Sequence, residues 1–369
     1  MHQGRNPLSC MTIPVSGRLG VGKTSTSAAG QGVTCVRGTE TPRLIVGCPL
    51  LSAARLRSEH ISGMPVPPAT LSRREWVHAT LLSAAAWVLP GTRRRDWTHD
   101  PDQQRLQDWS GTLRGEHITG DQGSLGAAAA RTGELASGSP YQAGTLDAYL
   151  RHGGNPRSEP LTLSLTRFDC VTLVESCLAV GRAARTPGHV SWDRFGREVE
   201  RMRYRNGQRR GYSSRLHYFS EWISDGQSRG LVSDIARDLG GVADDRPLRF
   251  MTTHRESYPA LSDARMYSDI EAMERSLDQH PRFVVPTKCI PSVSDRIQTG
   301  DVLGFATEIP GLDATHTAFA HRAKDGVLRV LHAPLSGGVV QVTSSTLAEY
   351  VAAIRHATGI LVARPVYGS

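Results

Sequence analysis

Three residues of a 369-residue chain have the types that a nucleophilic amide hydrolase needs: Cys170, His316 and His332. A thiol attacks only as thiolate, so it needs a base to take its proton, and the base needs a third group to orient it. Leu163-Ser-Leu-Thr-Arg-Phe-Asp169-Cys170 runs into Val171–Val180. Its apolar residues at 170, 173, 174, 177 and 178 follow the helical template i, i+3, i+4, i+7, i+8. Cys170 then falls in the first turn, with Asp169 or Thr166 as the cap. There the positive end of the helix dipole lowers a thiol pKa. The ordinary alternative for such a cysteine is a place in the core, and Cys177 on the same stripe reads that way.

The base is sought in Thr315-His316-Thr-Ala-Phe-Ala-His321-Arg322, which Ala-Lys324-Asp-Gly326 joins to Val327-Leu-Arg-Val-Leu-His332-Ala333. The pattern is strand, Asp-Gly turn, strand. A hairpin centred on Lys324, with a three- or five-residue loop, sets His316 directly opposite His332, with Cβ atoms roughly 4.5–5.5 Å apart. A two-residue turn at 325–326 pairs His332 with Phe319 instead. His321 has the opposite parity and reads as a surface histidine on the other face.

The rest of the chain bounds what could hold these groups. Hydrophobic residues at 39%, charged at 21% and aromatic at 6% exclude a coiled coil, a collagen and a wholly disordered chain. No apolar run reaches the roughly 18 residues of a membrane span. The net charge of +8 is concentrated in residues 1–63, where seven basic residues face two acidic ones. Only three of the 43 basic residues are lysines, Lys23, Lys288 and Lys324. That composition points to a GC-rich gene rather than to phosphate contacts, and no nucleic-acid partner is expected. The six cysteines include no CxxC pair and no zinc spacing, so no metal is expected. Cys170 and Cys177 on one helix lie about 10.5 Å apart, too far to bridge, and no disulfide framework is expected.

Residues 1–63 lack sustained periodicity and read as unstructured. Gly17–Thr24 matches the GxxxxGKT phosphate loop. The flanks lack the strand and helix that such a loop requires, so we discount it. Ser72-Arg73-Arg74-Glu75-Trp76, followed by the apolar Val77–Leu89, resembles a twin-arginine export signal over residues 64–91. An export signal works at an N-terminus, so translation is expected to start at Met64, which places the protein in the periplasm or outside the cell. Residues 92–130 read as a linker leading into a helix or two, and residues 131–369 as the catalytic domain.

Further pieces fall in a specific order: Gly138-Ser-Pro140-Tyr141, Phe168-Asp169-Cys170, Arg203-Tyr204-Arg-Asn-Gly207, Gly211-Tyr-Ser-Ser-Arg215-Leu-His217-Tyr218, Gly300-Asp301, Gly311-Leu-Asp-Ala-Thr-His316 and Leu331-His332-Ala333. Together they resemble the NlpC-type papain-like cell-wall cysteine hydrolases, and more closely the N-acetylmuramoyl-L-alanine amidase-like branch, over about residues 131–365. The sequence departs from the branch at Leu173, where Phe is usual, and at Thr317-Ala318, where Val-Gly is common. Ala318 adds a methyl close to the base. None of these departures removes a catalytic group.

The resemblance implies an α+β papain-like fold, with the helix of Cys170 packed on an antiparallel sheet. Further strands are expected near Val339–Val342 and Gly359–Val366, a helix at Thr346–His356, and a helical insertion over about 185–297 that shapes the cleft. It also implies Cys170 as nucleophile, His316 as general base and acid, and His332 as the group fixing the tautomer of His316. Tyr141, Asp169, Arg215, His217 and Tyr218 become candidates for substrate binding, with no cofactor. The implied reaction is hydrolysis of the amide between N-acetylmuramic acid and L-alanine in peptidoglycan or a muropeptide. An endopeptidase cutting after γ-D-glutamate in the same stem would use the same triad. A non-catalytic murein-binding protein would be expected to lack a triad member.

Overall fold

The computed structural model describes residues 100–119, 124–279, 281–335 and 338–367. The phosphate-loop match, the export signal and the start at Met64 lie outside the described residues. The described helices are α1 Pro101–Gly115, α2 Leu125–Leu135, α3 Ala148–Arg151, α4 Cys170–Ala184, α5 Trp192–Arg203, α6 Phe219–Ser228, α7 Phe250–Thr253, α8 Ala264–Leu277, α9 Ile290–Val293 and α10 Leu347–Ala353. The strands are β1 Val232–Asp234, β2 Val242–Asp244, β3 Arg282–Pro286, β4 Val302–Thr307, β5 Ala314–Arg322, β6 Leu328–His332, β7 Gln341–Val342 and β8 Ala357–Pro365.

The fold is α+β, built on one antiparallel sheet of order β2-β3-β8-β4-β5-β6-β7, with β1 also paired to β8. Helix α4 is the centre of the core. It touches α1, α2, α5 and β5, and every residue from Cys170 to Ala184 except Val171 is buried. Burial of Leu173, Val174, Leu178 and Val180 contributes about 1.5–3 kcal/mol for each side chain. Small residues let α2 lie close against α4. A Cβ on Gly181 would come within 3.2 Å of the Ala128 Cβ.

Two expectations are corrected here. The stretch over 92–130, read as a linker leading into a helix or two, does hold α1 and the start of α2, but α1, which begins at an Asp100 cap and Pro101, buries Leu106, Trp109 and Leu113 in the main core. Those three residues share one face at i, i+3 and i+7, among otherwise polar neighbours. The insertion over 185–297 is not purely helical, because β1, β2 and β3 add strands to the sheet. It also carries its own apolar cluster of Tyr212, Tyr218, Phe250, Tyr258, Ile270 and neighbours. The expected strands near 339–342 and 359–366 appear as β7 and β8, with α10 between them. Cys170 and Cys177 are buried and stand outside any disulfide.

The β5–β6 hairpin takes a register that neither sequence alternative described. Phe319 pairs with Leu331 and Arg322 with Leu328, so the turn is centred on Asp325. Gly326 has φ +79°, the left-handed position that closes a three-residue loop. The Asp325 carboxylate accepts from the Val327 N–H at 3.0 Å and fixes the turn there.

Candidate active site

Cys170 opens α4, directly after its cap. The Asp169 carboxylate accepts from the Thr172 N–H at 2.8 Å, and the Thr172 hydroxyl accepts from the Asp169 N–H at 2.9 Å. This reciprocal capping box satisfies two backbone donors and fixes where the helix begins. Cys170 therefore sits at the positive end of a fifteen-residue helix.

The strand β5 is fastened to that point. The Thr317 hydroxyl donates to the carbonyl of Cys170 at 3.0 Å. Next to Thr317, His316 Nε2 lies 2.9 Å from His332 Nδ1, with the rings edge to face at 81°. In the observed register the two histidines are diagonal rather than directly opposite. A diagonal pair remains within reach of ring side chains, so the contact survives the one-residue shift of the turn. Burial, then the neighbouring His332, pushes the His316 pKa down to about 3, and burial pushes His332 down to about 4. Both rings are thus neutral at pH 7.

Tyr350 of α10 belongs to the same cluster, although the sequence offers no motif for it. Its hydroxyl lies 3.3 Å from His332 Nδ1, its ring packs edge to face on His332, and it also touches Phe305. Burial, then the electrostatic influence of Cys170, pushes its pKa up to about 12. It therefore stays a protonated donor through the physiological range.

A family model of N-acetylmuramoyl-L-alanine amidase-like proteins matches residues 131–360, more than half of the chain. The chain belongs to the N-acetylmuramoyl-L-alanine amidase-like family. It is an enzyme of that type, within a family of peptidoglycan hydrolases. Among solved structures, an N-acetylmuramoyl-L-alanine amidase from Bacteroides uniformis is 29% identical, covering 66% of this chain and 99% of its own at TM-score 0.60. A Bacteroides fragilis protein with a provisional xylanase name is 31% identical, covering 63% and 99%, at TM-score 0.58. A Legionella pneumophila protein at 17% identity and TM-score 0.53 shares the fold. No curated protein matches.

The five residues suggested for substrate binding fall in different places. Tyr141 lies beside the approach to α4. It forms a bridge with Phe168, its N–H bonds the Gly338 carbonyl at 2.7 Å, and the N–H of Gln142 bonds the Phe168 carbonyl at 2.8 Å. A cavity of about 210 Å³ opens next to it, lined by Gln142, Thr145, Tyr149, Thr172, Ser176 and Arg203 among others. Asp169 is buried and engaged as the helix cap. Burial is the largest influence on its carboxyl and raises the pKa.

Arg215 is 3% exposed, bonds Asp147 at 2.6 Å, and lies over the Tyr212 ring. His217 is also buried. Its Nε2 is 2.8 Å from the Tyr212 carbonyl, and burial lowers its pKa well below the usual histidine value. The Tyr218 hydroxyl donates to Glu274 at 2.6 Å inside the second apolar cluster. These last three side chains sit in internal contacts that hold the insertion together. His321 does face away from His316, but it is not a surface residue. It is 9% exposed beneath α2, with Nε2 2.7 Å from a Glu134 carboxylate oxygen. Among the described residues no three His, Cys, Asp or Glu side chains converge as a metal site.

Proposed function

We propose that this family member is a papain-like cysteine amidase, in which Cys170 attacks the amide between the lactyl group of N-acetylmuramic acid and L-alanine. The observation that carries the reading is the joint one at β5: the strand bearing the His316–His332 pair is hydrogen-bonded to the carbonyl of Cys170 itself. His316 Nε2 is turned to His332, which leaves Nδ1 as the nitrogen free to take the thiol proton. In the first half-reaction Nδ1 accepts that proton and the thiolate sulfur adds to the amide carbon. The C–N bond then breaks, and His316 returns the proton to the departing amine of L-alanine. In the second, a water gives its proton to His316, its oxygen adds to the thioester carbon, and the thiol leaves with the proton restored. The oxyanion formed each time is held by the Cys170 N–H at the helix start and by the Tyr141 hydroxyl.

The amidase name of the Bacteroides uniformis neighbour supports the choice of bond. The twin-arginine resemblance supports an extracytoplasmic location, where murein is. A glycosidase, the chemistry suggested by the name of the Bacteroides fragilis neighbour, needs two carboxyl groups facing one another across a cleft. Beside Cys170 the Asp169 carboxyl is already engaged as a cap, which favours amide hydrolysis.

The test is mass spectrometry of muropeptides digested by the full chain and by Cys170→Ala. Free stem peptide beginning at L-alanine, produced only with the thiol present, is the expected result. Release of an L-Ala–γ-D-Glu end would move the assignment to the endopeptidase. Identical digests from both proteins would sink the cysteine mechanism.

A further inference from the structure

Two cavities border the start of α4, and they differ in size and chemistry. On the side of Thr317 a slot of about 20 Å³ is walled mainly by Val171, Leu216, Phe219 and Trp222. It has room for about one water-sized group. The cavity of about 210 Å³ beside Tyr141 is polar. The Gln142 amide, the Thr145 and Thr162 hydroxyls and the Arg167 guanidinium line it, and none of these four side chains is hydrogen-bonded among the described residues. Hydroxyl and amide groups both donate and accept. Tyr149 completes the lining. Its hydroxyl oxygen is buried, so the cavity meets the face of the ring.

The charges around this cavity favour a neutral occupant. Arg203 also lines it, but is already held by Glu175 at 2.7 Å and by the Thr162 carbonyl at 2.7 Å. Burial, then the carboxylate of Glu159, raises the Tyr149 pKa, which places Glu159 close to that ring. Glu159 Oε1 accepts from the Tyr204 hydroxyl at 2.9 Å, while Oε2 is buried with no hydrogen-bond partner among the described residues. An anionic ligand would be opposed by that oxygen, and a neutral polyhydroxyl ligand would not.

We infer that this cavity holds the sugar ring of N-acetylmuramic acid. A pyranose presents an apolar C–H face, which suits the electron-rich face of the Tyr149 ring, and hydroxyl and acetamido groups at its edge for Gln142, Thr145, Thr162 and Arg167. The position suits it as well. In the proposed reaction the Tyr141 hydroxyl holds the acyl oxygen, and only one carbon and one ether oxygen join that acyl group to the sugar. Gln142 follows Tyr141, and its N–H bonds the carbonyl of Phe168 at 2.8 Å, just before Asp169 and Cys170. The identity of the sugar rests on the amidase reading, but its binding can be measured apart from hydrolysis.

The test is calorimetric titration of the full-length Cys170→Ala protein with N-acetylmuramoyl-L-Ala-D-isoGln and with D-lactoyl-L-Ala-D-isoGln, which lacks only the sugar. We expect the sugar to tighten binding at least about tenfold, a preference typical of a site built to hydrogen-bond its ligand. That ratio should shrink at least threefold when Gln142→Ala/Arg167→Ala or Tyr149→Leu is added. Equal affinities for the two ligands would overturn the inference, as would a sugar preference unchanged in both variants. Gln142 and Arg167 are exposed, so the double variant carries the test should Tyr149→Leu not fold. A sugar preference that depends on these residues, in a protein whose digests release an L-Ala–γ-D-Glu end, would uphold the sugar site and overturn only the assigned bond.

Discussion

Cys170 and Cys177 occupy one helix two turns apart, yet their surroundings make them different chemical groups. Cys177 is wholly buried among apolar side chains, and burial alone drives its pKa up, so it remains a thiol. Cys170 stands at the helix start, where the dipole favours a thiolate, and its carbonyl is tied to the strand of a neutral histidine. The same residue type is thus a packing element in one place and, on the proposed mechanism, a nucleophile in the other. What separates them is the direction of the helix and what the sheet brings to its end.

The largest effect should break this contrast outright. Cys170→Ala is expected to lower kcat for muropeptide hydrolysis by at least about a thousandfold while leaving the unfolding temperature nearly unchanged. Cys177→Ala should do the reverse, retaining activity and losing about 1 kcal/mol by denaturant titration from the space it vacates. Comparable losses of activity in both variants would mean that the helix end does not distinguish the two thiols.

A second test concerns the base. His332→Gln should lower kcat by roughly ten- to a hundredfold, because His316 loses the group that fixes its proton on Nε2. It should also change the acid limb of stability. His332 has a folded pKa of about 4, below the ordinary unfolded value of about 6.5. Between these values the unfolded chain binds more protons, so stability is full above about pH 6.5 and falls as pH drops toward 4. One such site is worth a few kcal/mol at most across that window. Denaturant midpoints measured from pH 7 to 4 should fall less steeply in His332→Gln than in the parent. Parallel curves would mean that His332 is not held neutral by the fold.

How much of this was legible beforehand follows physical lines. The start of α4 could be read because Asp169, Cys170 and the apolar stripe are local signals, and the capping box lies within four residues. The histidine pair can be read as a hairpin, but neither turn that the pattern offers, centred on Lys324 or at 325–326, is the observed one centred on Asp325. Gly326, not Lys324, sets it, through a left-handed backbone position that pattern alone does not rank. His321 seemed exposed because strand parity tells which face a residue takes and not what covers that face; here α2 does. Tyr350 carried no signal, since α10 returns to the site only through the sheet. Arg215, His217 and Tyr218 stay candidates for substrate contact, each buried beside Asp147, the Tyr212 carbonyl or Glu274, and that burial is not visible in their motif.

Tyr350 supplies a smaller test. Tyr350→Phe keeps the ring packing on Phe305 and His332 and removes one hydroxyl donor to His332. A neutral hydrogen bond contributes about 0.5–1.5 kcal/mol, so kcat should fall by roughly two- to tenfold with KM unchanged. If KM rises instead while kcat holds, the hydroxyl contacts substrate rather than the imidazole.

The smallest expected effect concerns Thr317, next to His316 on β5. Thr317 is buried, and its hydroxyl is the direct link between β5 and the carbonyl of Cys170. Valine has the same branched shape, favours the strand equally and removes only the oxygen. The carbonyl it leaves behind belongs to the first turn of α4 and keeps the intrahelical acceptor role of that position, so the group is not orphaned. Thr317→Val should therefore cost no more than about 1 kcal/mol in stability. Activity should drop less than about fivefold, below the Tyr350→Phe effect at its upper end. A loss approaching that of Cys170→Ala would mean that this one hydroxyl sets the distance between thiol and imidazole. In that case the contrast between the two cysteines would depend on β5 more than on the helix dipole.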